Sequence, residues 1–198
     1  MHSSNLSHPK KVINWYVNII NAQVICCMEN FSVFDTSQPE IVEFFINVRE
    51  LLKNCDHRSS LGWKAIELIK HLCSDPTICD FIQKLEFVPI LASYLHSQLE
   101  SEKAILILSV LELLTEGVIV ERSGFWLSGL LKYLTDSLLE KSDSVLSHLL
   151  AVLSNFCLEN YVVINELQRE STCDEVLQYL MQFQAADPLV QLHAAQVR

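Results

Sequence analysis

The chain is poor in residues that interrupt helices. It contains four glycines and five prolines among 198 residues. Sheet-rich and loop-rich folds of this size need more turn residues, whereas leucine-rich segments without internal breakers suit helices. Half of the residues are apolar and 19% are charged, enough apolar side chain to bury a core. The composition therefore predicts a folded, all-α protein.

Positive charge is scarce. Lysine and arginine total 14 against 24 aspartate and glutamate residues, which gives a formal net charge of -10. The densest basic cluster is the pair Lys10 and Lys11. Because phosphate binding needs concentrated positive charge, we do not expect nucleic acid to be a partner. The negative charge is typical of a solvated acidic exterior, and it would also suit a basic partner.

Long apolar runs and a secretion signal are also lacking. Residues 1–11 are polar, and charges interrupt the apolar runs before they reach the length of a membrane span. The seven cysteines include no CxxC pair, and several fall in apolar helical segments. Reduced, buried thiols of this kind are usual in the cytosol and nucleus. We expect no membrane partner and a cytoplasmic or nuclear location.

Short motifs that carry catalysis are missing, namely a Gly-rich phosphate loop, GxSxG, HExxH and an Asp-rich calcium loop. The nearest approach to a metal cluster combines the segment 55–57 with His71 and Cys73. Zinc needs about four converging ligands, whereas Leu72 places His71 and Cys73 on different faces of one helix. The apolar surroundings of the cysteines also disfavour a nucleophile. We expect no metal, no cofactor and no enzymatic activity.

Two apolar motifs recur at a period near forty residues. The segments 66–72, 108–114 and 150–156 align at steps of 42 residues. Between them lies the motif apolar-x-x-Tyr-Leu, which begins at Leu91, Leu130 and Val176. Two alternating helical motifs of this period are typical of a solenoid, whose units bury their apolar faces against neighbouring units.

A short third element lies between the two motifs, at residues 76–84, 118–122 and 161–169. The predicted helices therefore recur in the order short, medium and long. This order resembles that of the armadillo-type helical repeat superfamily, and the segments 73–82 and 157–167 resemble that family's passage from a third helix into the next first helix. The resemblance implies a right-handed armadillo/HEAT-like helical solenoid of about three to four repeats.

The resemblance also implies a domain organisation. We place a disordered tail at residues 1–9, an N-terminal capping helix with its connection at 10–37, and armadillo-like repeats at 38–198. The helix at 12–27 has a broad apolar face but no lysine-rich side that would favour a lipid surface, and solenoid ends need covering. The last repeat stops early, so we expect a piece or isoform of a longer protein, or self-association through an exposed apolar end.

A second, narrower resemblance involves the segment 147–167 and the 42-residue step before it. These residues are similar to the N-terminal armadillo region of the family of the cancerous inhibitor of protein phosphatase 2A. The resemblance implies a scaffold that modulates a phosphatase holoenzyme and joins mitotic or DNA-damage adaptor complexes. The coiled-coil half and the dimerising segment of that family have no counterpart in this sequence.

Armadillo-type proteins recognise partners on the wall formed by their third helices, which correspond here to residues 60–74, 101–116 and 142–157. Import receptors of the superfamily place tryptophan and asparagine on that wall, and only Asn155 keeps this pattern. A folded or helical partner is therefore favoured over an extended basic peptide. We predict one continuous solvent-facing strip of partner-binding residues: Glu67, Lys70, His71, Ser109, Glu112, Ser154 and Asn155. Substitutions of Glu112 or Asn155 should change stability by less than about 0.5 kcal/mol.

The sequence thus favours a protein–protein interaction scaffold or adaptor whose partners are other proteins. A narrower alternative is a module, similar to a regulatory subunit, that modulates a protein phosphatase complex. An enzyme with an unrecognised site is a third and weaker alternative.

Overall fold

The computed structural model describes residues 37–96, 99–116 and 143–157, together with the single positions 130, 133, 178 and 188. Every regular element in these ranges is an α-helix, and no strand occurs in them. The helices are α1 (Pro39–Asn54), α2 (Ser60–Leu72), α3 (Pro76–Gln83), α4 (Phe87–Ser93), α5 (Ser101–Thr115) and α6 (Asp143–Cys157). The prediction of an all-α fold is confirmed for this part of the chain.

The three long helices expected for the wall are present. They are α2, α5 and α6, and their ends differ from the predicted ends by no more than two residues. The short element expected at 76–84 is α3. The tail at 1–9, most of the capping segment at 10–37, the short elements at 118–122 and 161–169, and all of the last segment at 186–198 except Pro188 lie outside the described residues. These assignments stay predictions, as does the solenoid arrangement.

Local signals explain where two of the helices begin. Pro39 is the first residue of α1, where its missing N–H costs no hydrogen bond, and Glu40 follows in the first turn. Asp75 caps α3, because its Oδ1 accepts hydrogen bonds from the backbone N–H of Thr77 at 2.8 Å and of Ile78 at 3.2 Å. Proline and aspartate at these positions were readable from the sequence alone.

The chain divides into two compact units, Met1–Phe81 and Ile82–Arg198. In the first unit α1 packs against α2. The ring of Phe45, which is fully buried, meets that of Phe81 edge-on, with 5.5 Å between the ring centroids. Val48 and Leu52 of α1 are also buried. An apolar core on one side of each helix leaves the other side for solvent or partners.

In the second unit α5 packs against both α4 and α6. We call a set of aligned positions in the segments 66–72, 108–114 and 150–156 a column. Two apolar columns are completely buried in all three segments. The first column is Ile66, Leu108 and Leu150, and the second is Ile69, Leu111 and Leu153. Tyr94, from the second motif, is also buried and directly follows α4. The assignment of these columns to the core is confirmed.

Truncation of a column residue should destabilise the protein strongly. We expect Leu111→Ala to lower the free energy of unfolding by about 2 to 5 kcal/mol, since it removes buried methyl groups and leaves a cavity. Urea unfolding followed by circular dichroism measures this loss. The control is Ile46→Ala, because Ile46 is 41% exposed. Equal losses in the two variants would contradict the assignment of Leu111 to the core.

Candidate protein-binding surface

Three of the seven predicted binding residues belong to α2, in the first unit. Glu67 is exposed, whereas Lys70 and His71 are half-buried. Their spacing of three and four residues places them on one side of the helix. Leu68, between them in sequence, is buried. The side chains of this group can therefore contact both solvent and a partner.

The other four predicted residues belong to the second unit, where α5 and α6 pack together. Ser109 and Glu112 lie on α5, Ser154 and Asn155 lie on α6, and all four are half-buried. The structure thus brings these four residues onto two neighbouring helices. A continuous strip that also includes the α2 residues stays a prediction.

A group of polar side chains joins α5 to α6, and we call it the α5–α6 polar cluster: Glu112, Thr115, His148 and Asn155. Glu112 Oε2 lies 2.8 Å from His148 Nδ1. The side-chain amide of Asn155 donates to the carbonyl oxygen of Glu112 at 3.2 Å and to Thr115 Oγ1 at 3.0 Å. The Thr115 hydroxyl in turn donates to the carbonyl oxygen of Leu111 at 2.8 Å. Glu112 and Asn155 are therefore held in place by neighbours.

His148 and Thr115 are two members of this cluster that sequence reasoning missed. The sequence contained a signal for both residues, namely their spacing. The bonded pairs are separated by 36, 40 and 43 residues, which are close to the 42-residue period. Thr115 is also buried, which is unusual for a polar residue. Polar residues about one period apart on adjacent repeat helices are candidates for contact.

These contacts change the expectation for Asn155. From the sequence it was a surface residue whose substitution would leave stability almost unchanged. Its amide instead makes two hydrogen bonds across a helix pair, and its removal leaves the buried Thr115 hydroxyl with fewer partners. Loss of a partner from a buried polar group costs free energy.

Two cysteines of the first unit, Cys73 and Cys79, have thiols that are buried. Neither residue forms a disulfide bond. Burial raises the pKa of the Cys73 thiol far above its usual range, and Cys79 raises it further through charge repulsion and a side-chain hydrogen bond. A thiol in this state forms little thiolate, which is the nucleophilic form. Across the described ranges no three Cys, His, Asp or Glu residues are grouped as metal ligands.

The described residues form α-helices, and four polar side chains join the two long helices α5 and α6. No helix among them is long and apolar enough to cross a membrane. The sequence matches the family described as CIP2A, N-terminal, over residues 13–192. This match covers most of the chain, and the chain therefore belongs to that family. A comparison with curated proteins found no significant match. The narrower of the two resemblances is thus supported, while the armadillo classification stays a prediction.

Removal of the Asn155 amide should cost measurable stability. We expect Asn155→Ala to lower the free energy of unfolding by about 1 to 2 kcal/mol, because two hydrogen bonds between α5 and α6 are lost. The matched control is Asn54→Ala, whose amide donates to the carbonyl oxygen of Glu50 at an exposed helix end. The control should change stability by less than about 0.5 kcal/mol. A loss no larger in Asn155→Ala than in the control would show that the cluster does not stabilise the helix pair.

Alkylation should distinguish the cysteines. With iodoacetamide at about pH 8, we expect Cys73 to stay unmodified in the folded protein, because its raised pKa suppresses the thiolate. Cys55, which is half-buried, should react faster than Cys73. Peptide mass spectrometry measures both rates, and urea should make the two residues equally reactive. Faster labelling of Cys73 than of Cys55 in the folded protein would contradict the burial argument.

Proposed function

We propose that this chain is a protein–protein interaction scaffold or adaptor that binds partner proteins through the surface of α2, α5 and α6. The observation that carries the proposal is the α5–α6 polar cluster. In this cluster Glu112, His148 and Asn155 are half-buried and Thr115 is fully buried. Hydrogen bonds to neighbouring residues already fix these side chains. Side chains that are ordered before binding lose less entropy when a partner arrives. A surface of this kind suits recognition of a folded partner.

The spacing of the polar contacts supports the repeat interpretation. His148 pairs with the Glu112 carboxylate, whereas Asn155 bonds the Glu112 carbonyl oxygen and also reaches Thr115 further along α5, so the contacts advance in the same direction on both helices. Parallel stacking of equivalent helices one period apart is what a solenoid requires. We therefore propose that α2, α5 and α6 are the third helices of successive armadillo-like repeats and form its binding wall.

A narrower function is favoured by the family match. Membership of the family described as CIP2A, N-terminal, supports a role in modulating a protein phosphatase complex. In this proposal the chain acts by binding and not by catalysis, in the cytoplasm or nucleus. Recovery of phosphatase subunits with the chain, together with a change in their activity towards a phosphopeptide when the chain is added, would distinguish this role from that of a general adaptor.

Affinity purification with matched variants tests the binding wall. Ser109→Arg places a bulky cation on α5, and we expect it to remove the partners that the unchanged chain recovers. Ser93→Arg on α4 is the control, since both hydroxyls donate to the backbone carbonyl three residues earlier, at 2.9 Å for Ser109 and 2.6 Å for Ser93. Both variants should keep the helical circular dichroism spectrum, as substitutions outside the core usually do.

Quantitative mass spectrometry of the recovered proteins provides the measurement. If Ser109→Arg retained every partner while Ser93→Arg lost them, the wall would be the wrong surface. A Glu67→Arg variant tests in the same way whether α2 of the first unit binds partners, because Glu67 is exposed on that helix.

A further inference from the structure

We infer that the outward side of α5 docks a cationic amphipathic helix of a partner protein, an inference that rests on the proposed binding function. Residues on this side recur at spacings of three and four and fall within about one third of the helix circumference. We call it the α5 outward face and define it as Glu102, Ile105, Leu106, Ser109 and Glu112 of α5 together with Glu116, the residue that directly follows the helix. Glu102 and Glu116 are exposed, and the other four are half-buried.

The charge of this face determines the chemistry of its partner. Glu102, Glu112 and Glu116 bring three carboxylates, and no lysine or arginine lies on the face. Lys103 is beside it in sequence but pairs with Glu100 at 3.0 Å. On α6, residues 144–155 contain no Asp, Glu, Lys or Arg. A cationic partner is therefore attracted and a phosphate-bearing one is repelled.

Glu112 is suited to anchor a basic side chain. His148 holds its Oε2, and the side chain of Glu112 remains 38% exposed. Within the part of the chain that the structure describes, Glu112 Oε1 accepts no hydrogen bond. A carboxylate that is already oriented and partly shielded from water forms a stronger charge-assisted hydrogen bond with an arginine or lysine than a fully solvated one does.

Apolar residues lie between the carboxylates, which favours a helix over an extended basic strand. Ile105 and Leu106 are half-buried between Glu102 and Glu112. A partner helix that carries apolar residues on one side and basic residues at its margins matches this arrangement. Glu102 and Glu116 are fourteen residues apart, or about 21 Å along the helix axis. A partner helix of about four turns spans that length.

Titration of the full chain with a defined peptide tests the inference. The probe is a fluorescent synthetic helix of about 18 residues, with leucine on one side and lysine and arginine on the other. The test variant is Glu102→Gln with Glu116→Gln, and the matched control is Glu40→Gln with Glu43→Gln on α1, where both residues are exposed. Each pair removes two negative charges, so a general effect of net charge is the same in both.

We expect the test variant to bind the peptide at least about tenfold more weakly, and the control to differ by less than about twofold. Glu112→Gln should also weaken binding, while its amide oxygen can still accept a hydrogen bond from His148. Equal weakening in both double variants would overturn the inference, because the peptide would then respond to net charge alone. Equal binding of the same peptide with glutamate in place of lysine and arginine would overturn it as well.

Failure of the cationic-helix inference can be distinguished from failure of the proposed function. If Ser109→Arg removes partner proteins but Glu102→Gln with Glu116→Gln leaves the peptide affinity unchanged, the cationic-helix inference fails and the binding wall stands. If the peptide depends on these glutamates but Ser109→Arg retains every partner protein, the proposed function fails instead.

Discussion

The packing of α5 against α6 is the constraint on which the candidate surface depends. Leu108 and Leu111 on one helix and Leu150 and Leu153 on the other are completely buried. Burial of such a side chain stabilises the fold by about 1.5 to 3 kcal/mol, whereas a net hydrogen bond contributes about 1 kcal/mol. Apolar packing therefore holds the two helices together, and the polar contacts act within the arrangement that it sets.

The polar contacts then select one register for the helix pair. Asn155 bonds both a carbonyl oxygen and a hydroxyl on α5, and the hydroxyl of Thr115 is buried. A shift of one helical turn would break both bonds and leave the buried Thr115 hydroxyl only its contacts within α5, which costs free energy. The cluster thus both orders Glu112 and fixes the side chains around it.

The distribution of charged groups on α5 is consistent with the proposed role in recognition. The thiol of Cys73 is held in its neutral form by burial and by Cys79. On the α5 outward face, the carboxylates of Glu102 and Glu116 are exposed and that of Glu112 is half-buried, with half-buried apolar side chains between Glu102 and Glu112. A surface that combines apolar area with charge of one sign discriminates between partners by electrostatic complementarity. Membership of the CIP2A, N-terminal family supports the same interpretation, with phosphatase complexes as the narrower case.

The sequence by itself determined the all-helical fold of the described residues, the position of the long helices and the identity of the core columns. Apolar residues at a spacing of three and four must be buried, so the columns of Ile66 and Ile69 were readable without coordinates. Only the tertiary structure decided what Asn155 and Glu112 contact, and that His148 and Thr115 join them. Hydrogen bonds between residues 36 to 43 positions apart depend on how two helices settle against each other to within a few tenths of an ångström, and periodicity specifies that packing too coarsely.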